Sequence, residues 1–147
     1  MSVGPVEILR AALFNALFWL WTGVLVLGLV PAAPFMSPLA MRRFAGFWMR
    51  GAQILLRWTV GLRYEVRGLE HLPCGPILVA SKHQSAWETL FFHIYRPDLV
   101  IGLKEELTRI PLFGWYLKIA RNIVIDRGGA ARAMRSLIEG GKRAVAE

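Results

Sequence analysis

The first third of the chain is apolar over a length that suits a membrane. No charged residue occurs from residue 11 to residue 41, and residues 11–30 supply the ~20 positions that a membrane-spanning helix needs. Pro31 and Pro34 predict the end of this helix, because each lacks an N–H and disfavours helical backbone at the residue before it. The pattern predicts a membrane-embedded helix, either a single span or the first arm of a hairpin in one leaflet.

A second apolar periodicity follows the proline break over residues 38–61. Arg43, Arg50 and Arg57 recur every seven residues and therefore share one face of the predicted helix. The rest of its surface carries large apolar side chains, among them Phe44, Phe47, Trp48, Ile54, Leu55 and Trp58. This composition is typical of a helix that lies in the membrane interface, with arginines at the headgroups.

After residue 61 the pattern changes to short strands alternating with helices. Period-two alternation predicts a strand over residues 62–68, and continuous apolar runs predict strands at 77–80, 99–103 and 122–126. Helices are predicted over 85–95, 112–120 and 130–147. The fold class is therefore α/β, with a parallel or mixed sheet flanked by helices. We divide the chain into a membrane-embedding helical region, residues 1–61, and the beginning of an α/β domain, residues 62–147.

Composition and charge narrow the classes of partner. Hydrophobic residues make up 55% of the chain, and the formal net charge of +8 suits anionic phospholipid headgroups or a phosphorylated substrate. Nucleic acid is disfavoured, because no zinc-ligand spacing, aromatic RNA-binding pattern or recognition helix is found. Cys74 is the only cysteine, so no intrachain disulfide can form.

Arginine distribution predicts the orientation in the membrane. Only Arg10, offset by Glu7, precedes the apolar segment. Five arginines follow it, which places the C-terminal part on the cytoplasmic side. These five are Arg42, Arg43, Arg50, Arg57 and Arg63.

The stretch "SKHQSAWETL" (81–90) holds the most reactive pair of side chains. If a helix starts near residue 85, Glu88 lies one turn beyond His83 and can accept the imidazole N–H. Such a contact raises the basicity of the other ring nitrogen, and no G-x-S-x-G nucleophile is present. The pair therefore suits deprotonation of a substrate hydroxyl. An ordinary polar pair at the start of a surface helix is the alternative from spacing alone.

Two cations follow later predicted strands. Lys104 comes directly after one strand and Arg127 directly after another, and ligands gather at the carboxyl ends of such strands. A base beside two cations fits a phosphorylated alcohol as the substrate. The alternative is that both cations simply lie at strand ends in contact with solvent. Pro111 and Gly114 are predicted to shape a loop that covers this edge. The alternative is that they only mark an ordinary turn.

These residues together resemble the motifs of the 1-acylglycerol-3-phosphate acyltransferase (PlsC-like) family. That family's first block is His, four residues, then an acid, which "HQSAWE" matches at His83 and Glu88. Its second pattern is met by Lys104, Leu107, Gly114 and Arg127. The family's acid is usually aspartate, and Glu88 is one methylene longer. The later Glu-Gly-Thr-Arg block has no counterpart, so we expect the sequence to be truncated before that block.

The resemblance implies a fatty acyl transfer from acyl-CoA or acyl carrier protein to the free hydroxyl of lysophosphatidic acid. It assigns His83 as general base, Glu88 as its support, and Lys104 and Arg127 as phosphate-binding residues. It also implies no cofactor or metal, contact with membrane phospholipids, and a bacterial-type inner membrane with the site on the cytoplasmic face. The alternatives are a catalytically incomplete membrane-bound fragment and acylation of another lysolipid.

Overall fold

The structure, a computed structural model, describes residues 4–82, 84, 86–126 and 128–146. Within these residues the chain forms helices and one small parallel sheet, and residues 60–82 contain a single short 3-10 helix. The α-helices are α1 (Pro5–Leu29), α2 (Pro38–Thr59), α3 (Ala86–Tyr95), α4 (Phe113–Ile119) and α5 (Ala130–Ala146). The strands are β1 (Gly102–Lys104) and β2 (Ile123–Ile125), and short 3-10 helices cover Ala33–Phe35, Leu69–His71 and Glu105–Arg109.

Helices form on both sides of the predicted proline break. Pro5 opens α1 at a position where its missing N–H costs nothing, and α1 ends at Leu29, directly before the prolines. The Ser37 hydroxyl accepts a hydrogen bond from the Ala40 N–H (3.1 Å) and caps α2. By length and composition alone, α1 could cross a membrane.

Tryptophan hydrogen bonds join α1 to α2. The Trp21 Nε1–H donates to the Trp48 carbonyl (3.1 Å), and the Trp48 Nε1–H donates to the Thr22 hydroxyl (3.0 Å). The indole N–H groups need acceptors when they leave water, so this reciprocal pair fixes the register of the two helices. Tyr116, in α4, donates its hydroxyl to the Val26 carbonyl (2.5 Å) and ties the end of α1 to the rest of the fold.

The core consists of two small clusters on the buried face of α2. Met41 packs with Ala33, Tyr116 and Ala120 at the N-terminal end of the helix. Further along, Met49 and Ala52 pack against Phe91 of α3. Side chains on this face recur at helical spacing, which is why α2 can contact both α3 and α4.

Arg42 is buried in this interface, with 6% of its surface exposed. Its Nε donates to the Ala120 carbonyl (2.9 Å) and its Nη1 to the Asp98 carbonyl (3.0 Å). Asp98 lies shortly before β1, and Ala120 ends α4 shortly before β2. One guanidinium of α2 therefore fixes the chain where it enters both strands, and satisfies a carbonyl that the end of α4 leaves unpaired.

The sheet pairs β1 and β2 in parallel, with Gly102 opposite Ile123 and Lys104 opposite Ile125. The Asn122 Oδ1 accepts the Ile101 N–H (3.1 Å), and Ile101 accepts the Ile123 N–H (2.9 Å), which extends the pairing beyond the strands. Helix α5 packs on β2, where a Cβ at position 140 would lie 2.6 Å from Ile123 Cγ2. Gly140, a weak helix former, therefore permits this close approach.

Two of the four predicted strands are wrong. Residues 62–68 and 77–80 form no strand, and Leu78 is 96% exposed instead of buried in a sheet. A strand needs backbone partners on a neighbouring strand, and β1 and β2 pair only with each other among the described residues. Arg96 instead holds this segment, donating to the Pro73 and Gly75 carbonyls (both 3.3 Å). The described α/β unit is thus mostly helical.

We expect Arg42→Lys to destabilise the fold by about 1–3 kcal/mol, because an ammonium group cannot reach both carbonyls in the guanidinium geometry and one would stay buried without a donor. Denaturant unfolding of the chain in a neutral detergent measures the change. Arg43→Lys is the matched control, since Arg43 is exposed and its substitution should leave the free energy of unfolding nearly unchanged. Equal stability of the two variants would contradict the role of Arg42.

A pH-dependent stability follows from His93 in α3, which is 4% exposed and has a buried Nδ1 without a hydrogen-bond partner in the described part of the chain. Burial, with a contribution from the positive charge of Arg42, lowers its pKa from 6.5 to about 4. The folded chain then holds neutral His93 while the unfolded chain takes up a proton below pH 6.5. Its stabilisation is therefore complete above that pH and is lost as the pH falls towards 4.

We expect this loss to reach at most about 3 kcal/mol in the free energy of unfolding. His93→Phe keeps a ring but has no group to protonate, so the pH dependence of its unfolding should be flatter than that of the wild type. His71→Phe is the control, because it removes a histidine that is exposed and not buried. A wild-type slope retained in His93→Phe would rule out this source.

Candidate active site

Helix α3 holds the acidic member of the predicted base–acid pair. It begins at Ala86, so Glu88 lies in its first turn, as the sequence predicted. His83 precedes the helix by three residues and lies outside the described residues, so its contact with Glu88 stays a prediction.

An aromatic cluster fixes the orientation of α3 beside Glu88. Trp87 stacks on Phe91, with ring centroids 4.4 Å apart and planes at 20°. Tyr64 packs edge-on against both rings, at 5.6 Å from Trp87 and 5.1 Å from Phe91. These contacts hold the first turn of α3 against the segment before it. The local pattern carries no specific signal for them, because the alternation around Tyr64 predicts a strand.

Lys104 lies at the carboxyl edge of the sheet, and β2 ends at the same edge. Lys104 is the last residue of β1 and pairs with Ile125, the last residue of β2. The backbone continues from Ile125 through Asp126 to Arg127, which lies outside the described residues. Because the strands are parallel, both carboxyl ends face the same way, and this edge is where open α/β sheets bind ligands. The Lys104 side chain is exposed there.

Asp126 adds a negative charge at this edge that the sequence analysis did not consider. Its carboxylate accepts the Gly128 N–H (2.7 Å) and lies 3.7 Å from the Arg132 Nε of α5. The nearby cation offsets its charge, so the edge is not made acidic by Asp126. The hydrogen bond to Gly128 also orders the turn that leads from β2 into α5.

The turn before α4 has an unusual backbone at the predicted loop-shaping residues. The Phe113 N–H donates to the Pro111 carbonyl (2.6 Å), which closes a three-residue turn around Leu112. Leu112 has φ 59° and ψ −53°, close to the rare and strained γ-turn geometry. Gly114 is buried, and a Cβ there would overlap the Thr108 carbonyl. This position therefore excludes any side chain, which gives Gly114 a specific packing role.

The described geometry joins some predicted site residues and not others. Lys104 lies at the edge where β2 leads towards Arg127, and the turn at Pro111 and Gly114 connects the two strands through α4. The strand expected to deliver His83 to the same edge is absent from residues 77–80. Among the described residues, no group of three His, Cys, Asp or Glu side chains is placed to hold a metal ion.

Comparison with known proteins agrees with the family suggested by the motifs. The chain is 39% identical over 143 residues to the 1-acyl-sn-glycerol-3-phosphate acyltransferase of Pseudomonas aeruginosa, covering 95% of this chain and 54% of that protein. It is 33% identical over 86 residues to the enzyme of that name from Limnanthes alba (58% and 30% covered). The Saccharomyces cerevisiae protein of the same name is 25% identical over 87 residues (58% and 29%).

These matches cover this chain more fully than they cover the relatives, and the chain spans about half the length of the Pseudomonas protein, 54%. No solved structure matches the chain. A family model described as Acyltransferase matches residues 63–145, which include His83, Glu88, Lys104 and Arg127. This match extends over more than half of the sequence, and the chain therefore belongs to the acyltransferase family.

Proposed function

We propose that the protein transfers a fatty acyl group from an acyl thioester to the free hydroxyl of 1-acyl-glycerol-3-phosphate. The observation that carries the proposal is the match to the acyltransferase family over residues that hold both motifs. The relatives indicate the substrate, because each is named as a 1-acyl-sn-glycerol-3-phosphate acyltransferase. Acyl-CoA and acyl carrier protein are the donors proposed.

The chemistry requires a base for an alcohol. His83 takes the proton of the lysophosphatidate hydroxyl as its oxygen attacks the thioester carbonyl, and the thiolate leaves and is protonated as the new ester forms. Glu88 accepts the other imidazole N–H and stabilises the imidazolium that develops. The placement of Glu88 in the first turn of α3 supports this role. The steps need no metal and no covalent enzyme intermediate.

Recognition of the phosphate is assigned to the sheet edge. Lys104 and Arg127 bind the substrate phosphate, and the pairing of Lys104 with Ile125, two residues before Arg127, supports their common use. Pro111 and Gly114 maintain the turn before α4, the helix that connects the two strands. This turn helps to hold the same sheet edge in place. The site is at the cytoplasmic face of a bacterial-type inner membrane, with α1 and α2 as the membrane element.

A second function class is a membrane-bound protein that binds lysophospholipid without turnover. The described sheet has only two strands, which is fewer than an α/β domain usually has. Few elements therefore support the candidate site, and this observation favours binding without turnover. Release of free thiol from acyl-CoA or acyl carrier protein with lysophosphatidate distinguishes the two functions. Substrate competition with other lysolipids then addresses the acceptor.

We expect His83→Ala to lower thiol release by roughly 10²–10⁴-fold, because the attacking hydroxyl loses its base. Glu88→Gln should lower it less, since the imidazole remains but loses its charged partner. His71→Ala is the matched control, as His71 is an exposed histidine outside the motif. Phosphatidate formation, measured alongside thiol release, excludes simple thioester hydrolysis. Undiminished turnover by His83→Ala would eliminate the proposed base.

Lys104→Ala should raise the KM for lysophosphatidate more than the KM for the acyl donor, because the lysine is proposed to bind only the acceptor phosphate. A loss of about tenfold or more in kcat/KM corresponds to one charged hydrogen bond. Lys118→Ala, which removes an exposed lysine of α4, is the control. Equal effects on both KM values would argue against a phosphate-binding role.

A further inference from the structure

A groove of about 680 Å³ lies between α2, the segment after it and the end of α3. It is at the opposite end of α3 from Glu88: Tyr95 and Glu88 are separated by two helical turns, on the order of 10 Å along the axis. The groove adjoins the aromatic cluster beside Glu88, because Tyr64 lines the groove and also contacts Trp87. Its polar lining comprises Arg50, Gln53, Arg57, Arg63, Tyr64 and Tyr95.

The groove is strongly basic. Among the described residues that line it, three are arginines and none is acidic. The Arg50 Nη2 donates to the Ile94 carbonyl (2.9 Å), which holds that guanidinium at the groove wall. Glu65, the acid of the adjoining segment, is paired with Arg67 at 2.8 Å and so does not neutralise the groove arginines. The charge and the geometry of several guanidinium groups suit a phosphate.

Gln53 provides an independent sign of a ligand. This side chain lines the groove, is 8% exposed, and has a buried Nε2 without a hydrogen-bond acceptor among the described residues. A buried amide donor without an acceptor is unfavourable, and buried polar groups are normally paired. An oxygen of a bound ligand would supply the missing acceptor beside the arginines.

Apolar residues next to the arginines indicate what the phosphate is attached to. Ile54 and Leu62 line the groove and are 57% and 49% exposed, and Trp58 beside them on α2 is 80% exposed. The arginine stripe of α2 thus runs next to a stripe of exposed apolar side chains, Phe47, Ile54 and Trp58. A free phosphate would make no contact with this apolar surface. A phospholipid, in contrast, carries its phosphate next to its acyl chains, which matches the two neighbouring stripes.

We propose that this groove binds the headgroup phosphate of an anionic phospholipid as a defined lipid site. Arg57 and Arg63 bind the phosphate oxygens, Gln53 donates its Nε2–H to one of them, and the exposed apolar stripe contacts the acyl chains. The proposal concerns lipid binding, not acyl transfer, and does not depend on the proposed reaction.

The test uses the full chain in a neutral detergent with equimolar short-chain phosphatidylglycerol and phosphatidylcholine, and native mass spectrometry counts the lipid retained. We expect preferential retention of one phosphatidylglycerol, by about tenfold or more, because the site offers several charged donors. Arg57→Gln with Arg63→Gln should abolish the preference. The control is Arg135→Gln with Lys142→Gln, which removes the same charge from exposed positions of α5 and should preserve it.

Gln53→Met separates binding from structure, since it keeps the side-chain length and removes the unpaired donor. We expect weaker phosphatidylglycerol retention with no loss of thermal stability, followed by circular dichroism. Displacement by equimolar inorganic phosphate would show a free-phosphate site and overturn the lipid assignment. A groove double variant that loses stability while keeping the lipid preference would mean that a protein segment fills the groove, and would also overturn it.

Discussion

The contact of Arg42 with two backbone carbonyls is the interaction on which the arrangement of this small fold depends. The described sheet has two three-residue strands, and the core clusters are small. Hydrophobic burial alone therefore does little to fix the positions at which the chain enters the strands. Arg42 reaches from α2 to Asp98 before β1 and to Ala120 before β2. It therefore couples the apolar helical region to the start of both strands, the end of the sheet opposite to Lys104.

The arginines of α2 divide into two physical classes although they are neighbours in sequence. Arg42 points into the protein, where each lost donor leaves a buried carbonyl unpaired. Arg43, Arg50 and Arg57 lie on the exposed side, next to apolar side chains that no other described element covers. The first class stabilises the fold, and the second gives α2 a surface suited to phosphate and acyl chains. One helix thus carries both a buried arginine that stabilises the fold and an exposed basic and apolar surface.

Local pattern predicts the motifs of the candidate site and part of the secondary structure around them. The motif spacing of His83 and Glu88, and of Lys104, Leu107, Gly114 and Arg127, indicated the family that the comparisons then showed. The helix that begins within "HQSAWE" and the strands around positions 103 and 124 form close to the predicted places. Their apolar periodicity reflects burial that local sequence encodes. The roles of the individual site residues remain predictions, and two of those residues, His83 and Arg127, lie outside the described part of the chain.

The sequence by itself determined the apolar first helix, the proline break, the basic face of α2 and the acyltransferase motifs, because these depend on composition and spacing within one segment. Only the tertiary structure decided that residues 62–68 and 77–80 are not strands, since a strand exists through partners that local sequence does not specify. It likewise decided that Arg42 is buried while Arg43 is exposed, and that Gly114 and Gly140 allow close packing. These outcomes depend on which residues distant in sequence come into contact. Arg42 and Arg43 have the same side-chain chemistry and differ only in the groups that surround them in the fold.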